Sequence, residues 1–146
     1  METIKVLNAP IIFKNFSGAE TDYNRAGDRN CSIGLPEELA IGLMAQGWNI
    51  KTLQRNPDEP PVYFTEVMLN YGGFKPPVVY RISKNGDKRL LDQDTIVMLD
   101  SEDIISANIA INPYNWVVGN KSGIKGYVAR MDVYIQEDLL AEDFFE

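Results

Sequence analysis

Two aromatic residues and two lysines lie close together late in the chain: Tyr114 and Trp116, then Lys121 and Lys125. The rings are two residues apart, the spacing that puts side chains on one side of an extended chain. Flat rings beside cations on a β surface suit an unpaired nucleic-acid strand, because bases stack on the rings and phosphates meet the cations. The same rings would equally serve to close the end of a β core. Phe74 and Lys75 repeat the ring-and-cation pairing in an earlier loop, and Arg81, Lys84 and Arg130 add cations on or beside neighbouring strands.

Other chemistry finds little support. The chain has no histidine and one cysteine, which removes the commonest general base and any thiolate set for structural zinc. Ser122 and Lys125 have the Ser-x-x-Lys spacing of an acyl-transfer nucleophile, but that motif must open a helix, and here it falls in a glycine-rich turn segment. The stretch from Gly119 to Gly126 misses the spacing of a phosphate-binding loop and reads as a hairpin loop. Asp92, Asp94, Asp100, Glu102 and Asp103 could hold magnesium for a nuclease, yet helix caps and a solvated acidic edge account for them more simply. Cys31 stands near Arg29 but has no histidine to act as its base. The expectation is a non-catalytic protein without metal or cofactor.

The elements that must position the rings and cations read as short strands. Ile105, Ala107, Ile109 and Ile111 alternate up to Pro113, where the missing backbone donor predicts a strand end. Tyr127, Ala129, Met131, Val133 and Ile135 alternate again on one side of a second strand, with Arg130, Asp132 and Tyr134 on the other. Earlier strands are expected at 4–7, 10–16, 30–35, 48–53 and 62–71. In the next, at 78–83, Arg81 points away from Val78, Tyr80 and Ile82. Pro36, Glu37 and Glu38 open a helix that Gly47 stops, with Leu39, Ala40, Leu43 and Met44 as its apolar stripe. Asn85-Gly86 marks a tight turn, residues 92–99 a helical turn with Ile96 and Leu99 facing inward, and the prolines from Pro57 to Pro61 a surface connection. Short strands, one helix and glycine- and proline-rich turns predict a mainly β fold, an OB-fold-like small antiparallel barrel, with a sandwich not excluded by pattern.

Length and composition fit one domain of 146 residues with a core of its own. Neither a long apolar run near the start nor a cysteine framework is present, so a cytoplasmic protein without membrane contact is expected. The formal charge of -7 is uneven. Residues 137–146 hold five acids and no base, leaving the preceding 136 residues at about neutrality. This divides the chain into a body at 1–136 and an acidic, disordered tail at 137–146. Two adjacent phenylalanines near its end, Phe144 and Phe145 beside Glu142 and Asp143, are unusual for a purely solvated segment.

Three stretches carry a family likeness: Ile-Ile-Phe-Lys-Asn-Phe-Ser-Gly from Ile11, Tyr-Asn-Arg-Ala-Gly-Asp-Arg-Asn from Tyr23, and the segment from Ile111 to Tyr127. In these the chain resembles the small single-stranded DNA-binding proteins of tailed bacteriophages and related mobile elements. The resemblance implies an OB-fold that coats exposed DNA during phage replication or recombination. It also implies a tail, here Glu142 to Phe145, that docks replication or recombination proteins. The run of aspartates and the final proline-phenylalanine of bacterial versions are missing, so the tail's partner is left unspecified, as is any homo-oligomer. A phage structural or assembly protein is the alternative expectation.

Overall fold

The computed structural model describes residues 2–136, so the expectations for Glu142, Asp143, Phe144 and Phe145 lie outside the described residues. Among the described residues nine strands form one sheet. They are β1 (Ile4–Ala9), β2 (Ile11–Asn15), β3 (Asn30–Leu35), β4 (Lys51–Leu53), β5 (Val62–Met68), β6 (Val78–Ile82), β7 (Lys88–Leu91), β8 (Ile104–Val118) and β9 (Lys121–Ile135). Helix α1 (Glu37–Gln46) follows β3, and a 3-10 helix at Ile96–Ser101 precedes β8.

The main path runs β1-β8-β9-β5-β3-β2. Its two ends, β1 and β2, are consecutive in the chain and separated only by Pro10, so the path returns on itself through one bent stretch. The chain is thus mainly β, as expected. Most ladders are antiparallel, but β9 meets both β5 and β6 in parallel, which makes the sheet mixed. Inside the curl, Val6, Phe16, Cys31, Ile33, Val67, Ile109, Ile111, Val128, Met131 and Val133 are all nearly inaccessible to solvent. Burial of this much apolar surface is the main force holding the strands together.

Helix α1 begins after Pro36, carries Glu37 and Glu38 in its first turn, and ends at Gly47 with φ +105°. That left-handed cap costs glycine nothing and lets the Trp48 amide donate to the Leu43 carbonyl. Ala40 and Leu43 are buried, while Met44 is exposed. The helix therefore delivers Trp48, 5% exposed, into the core, where it bridges in parallel to Ile124 of β9.

Three expectations about the strands need correction. First, β8 does not stop at Pro113. It runs to Val118, because its other neighbour β1 last pairs at Ile4 with Ile111. Beyond Ile111 it is an edge strand, where a missing donor is tolerated. Second, Ala110 pairs Arg130 but Ile111 pairs Val128, so Ala129 is an extra residue in β9. This β-bulge reverses the alternation. Ile124, Gly126 and Val128 face inward before it, Met131, Val133 and Ile135 after it, and Tyr127 stays outside. Third, β6 buries Val79 rather than Val78, Tyr80 and Ile82. Arg81 thus lies on the inner side, not the outer.

Three of the acids expected to cap helices or stay solvated have specific partners. The Asp92 carboxylate accepts from the Asp94 and Thr95 amides and the Thr95 hydroxyl. These bonds hold it below the usual carboxylate range, the Thr95 bonds foremost. Asp100 accepts from the Phe16 and Ser17 amides at 2.7 and 2.9 Å. Glu102 binds Arg81 through both oxygens at 2.9 Å. Among the described residues no three acidic, cysteine or histidine side chains gather to hold a metal ion.

Candidate nucleic-acid interface

β8 last pairs β1 at Ile111 and β9 first pairs β5 at Gly126, so from Tyr114 and Lys125 to the turn the two strands run as a two-stranded hairpin joined at Gly119 and Asn120, with Gly119 at φ +59°. Cross-strand register fixes which side chains share a face. Tyr114 stands opposite Lys125, Trp116 opposite Gly123, Val118 opposite Lys121, and Asn112 opposite Tyr127. The alternate pairs, Pro113 with Gly126 and Asn115 with Ile124, form the other face. At Ile124 and Gly126 that other face rests on the core: a Cβ placed on Gly126 would stand 2.7 Å from Ile111 Cγ2 and 2.9 Å from Trp48 Cζ3. Only glycine permits so close an approach, and it pins the base of the hairpin to the buried indole. Tyr114, Trp116, Lys121 and Lys125 are left together on the outward face.

Tyr114 is 57% exposed and meets Tyr127 edge to face, with centroids 6.1 Å apart and planes at 84°. Tyr127 was not anticipated as part of this face, because the bulge at Ala129 hides its true parity from a simple alternation. Pairing outward from the Gly119-Asn120 turn would have found it. The half-buried Trp116 lies across Gly123 and borders a cleft of about 180 Å³ with Asn49, Thr65, Glu66, Met68 and Lys125. No acid occurs between Asp103 and Asp132, so the hairpin is locally cationic within an acidic chain.

The remaining expected residues are dispersed. Phe74, 96% exposed, and the exposed Lys75 sit on the loop between β5 and β6. That loop leaves the sheet beside Tyr127 and rejoins it beside Arg130, since Met68 pairs Tyr127 and Val78 pairs Arg130. Arg130 points outward, half exposed, and its guanidinium donates to Asp132 at 3.1 Å, which raises its pKa further. Arg81 is held by Glu102 at 2.8 Å and pairs in register with Val133, about 40 Å of strand from Lys121. Lys84 lies beyond it in the β6–β7 turn. The structure thus brings Tyr114, Trp116, Lys121 and Lys125 together, sets Phe74, Lys75 and Arg130 farther along, and separates Arg81 and Lys84 from them.

Cys31 has no place in this surface. It is fully buried, and burial first, then the charges of Glu66 and Asp100, push its thiol up to about 12. A neutral, inaccessible thiol is neither a nucleophile nor a metal ligand.

No helix among the described residues is long and apolar enough to cross a membrane. Solved structures of similar fold include the single-stranded DNA-binding protein of bacteriophage Enc34 in complex with ssDNA, with a TM-score of 0.58 at 11% identity. That alignment covers 93% of this chain and 88% of the other. A C-terminal truncation of the same Enc34 protein gives 0.57 at 11% identity, covering 93% and 87%. No curated protein matches the sequence. Residues 1–146 match the family model described as "Putative phage ssDNA-binding domain", and to that phage family this chain belongs.

Proposed function

We propose that this chain binds single-stranded DNA without catalysis and without regard to sequence, protecting exposed strands during phage DNA replication or recombination in the host cytoplasm. The observation that carries this reading is the register that sets Tyr114 against Lys125 and Trp116 against Gly123 on one solvent-facing side of the hairpin. Stacking on a ring is indifferent to base identity, because every base has a π face. The strand order, with β5 meeting β9 in parallel, supports an OB-fold, in which the loop between the last two strands contacts oligonucleotides. Here that loop is the hairpin itself. The Enc34 protein, bound to ssDNA in its own structure, lends support from a distant neighbour.

Tyr114 and Trp116 take the bases. Lys121 and Lys125 take phosphates, and Phe74 and Lys75 extend the path along the flank of β9. The segment at 137–146, with Glu142, Asp143, Phe144 and Phe145, is the part offered to replication or recombination proteins.

Titration with an oligo-thymidine tests the reading. Trp48 is buried, so Trp116 is the reporter, and its emission should be quenched on binding. With three lysines engaged, log affinity should fall against log salt with a slope of about -2. An unquenched indole with no retention of the oligonucleotide would instead favour a phage structural or assembly protein.

A further inference from the structure

The outward face of the β8–β9 ribbon does not end with the hairpin. On β8 it continues through Asn112, Ala110 and Asn108, and on β9 through Tyr127 and, after the bulge, Arg130 and Asp132. There it widens. Val78 of β6 pairs Arg130, Tyr80 pairs Asp132, and Tyr80 in turn pairs Leu90 of β7. At the other margin Lys5 of β1 pairs Ala110.

At the centre of this wider face the Tyr80 ring is flanked by two cations from different strands. Lys88 Nζ stands 4.2 Å from its centroid and the Arg130 guanidinium 5.1 Å. A ring quadrupole attracts both, so one phenol holds two otherwise flexible side chains in place without neutralising them. On the far side of Arg130, a shallow groove of about 190 Å³ is lined by Lys5, Leu7, Asn108, Ala110 and Asp132. The small Ala110 leaves its floor low. Among the charged groups named on this face, the cations outnumber the acids three to one, and the single acid, Asp132, binds Arg130.

We propose that this face is a second, phosphate-binding station, with Tyr80 as the post that fixes Lys88 and Arg130 and Lys5 as the opposite margin. The inference rests on the hairpin reading and extends it: a strand stacked on Tyr114 and Trp116 passes over the bulge at Ala129, and its backbone meets these cations. Two cations already sit over the Tyr80 ring, so the station grips phosphate instead of stacking a base. Lys125 and Arg130 are separated by about 15 Å of strand, so a short oligonucleotide can fill the hairpin alone.

Oligo-thymidines of 5 and 20 nucleotides, labelled for anisotropy, test this with the full chain and its Lys88→Gln, Lys88→Glu and Tyr80→Leu variants. The 5-mer should bind all four proteins alike. For the 20-mer, Lys88→Gln should weaken binding about threefold to tenfold at low salt and make the salt slope shallower by about 0.7. Lys88→Glu should do so more strongly, and Tyr80→Leu less. Lys88 is exposed on a surface strand, and a thermal melt checks that each variant is folded. If Lys88→Glu binds the 20-mer with wild-type affinity and slope while Trp116 is still quenched, the second station is wrong and the hairpin reading stands. If neither oligonucleotide binds the wild-type chain, both fall.

Discussion

Trp116 lies flat across the backbone of Gly123 on the neighbouring strand: a Cβ at Gly123 would stand 2.8 Å from indole Cζ2 and 2.9 Å from Cε2 and Nε1. Glycine is the residue that lets the ring stay down on the hairpin. Gly123→Val should lift or swing the indole while the fold persists, because the ring faces outward from a two-stranded ribbon. The expected outcome is a red shift in emission and a severalfold loss of oligo-thymidine affinity. Trp116→Ala should cost about 1–3 kcal/mol of binding, roughly five- to 150-fold, measured by anisotropy.

Arg81 belongs to the fold. Its guanidinium grips Glu102 through both oxygens, tying β6 to the residues that enter β8. The side chains are 26% and 21% exposed, so solvent screens part of the attraction. Arg81→Ala should lower unfolding stability by about 1 kcal/mol, read from the urea midpoint, and leave the salt dependence of DNA binding unchanged.

Cys31 gives a pH dependence with a definite sign. Burial, with the charges of Glu66 and Asp100, pushes its thiol up to about 12 in the folded chain, against 9.0 when exposed. Below pH 9 both states carry the proton and no stability depends on it. Between 9 and 12 the unfolded chain loses the proton while the folded chain keeps it, so stability falls as pH rises, by up to about 1.4 kcal/mol per unit. Urea melts from pH 8 to 11 should show this decline, and Cys31→Ala should flatten it. Thiol reagents should label the protein only as it unfolds.

The acidic segment 137–146 should compete with DNA for the cationic hairpin. Deleting it is expected to tighten oligonucleotide binding at low salt, with the difference fading as salt screens the charges. Unchanged or weaker binding by the shortened chain would count against this competition.

What could be read from residues alone was local. Pro36, Glu37, Glu38 and Gly47 announce helix α1, Asn85-Gly86 its turn, and Ile96 and Leu99 their inward side, because each depends on neighbours within a few positions. Pairings between distant strands are not local. Nothing in the periodicity of β9 says that it meets β5 and β6 in parallel. One extra residue at Ala129 was enough to invert the reading of Tyr127, and of two adjacent valines at 78 and 79, counting the first as the inward one puts Arg81 on the outer side. Of the candidate surface, Tyr114, Trp116, Lys121 and Lys125 were legible because they share one turn. The Tyr80 cluster was not, since it joins three strands.

Pro113 has a consequence wherever two copies of this chain meet. β8 beyond Ile111 carries an unclaimed margin onto which the sheet of a second copy could anneal. A proline set in that margin interrupts the row of amides such annealing would need. Copies can then come close without their sheets fusing edge to edge into aggregates.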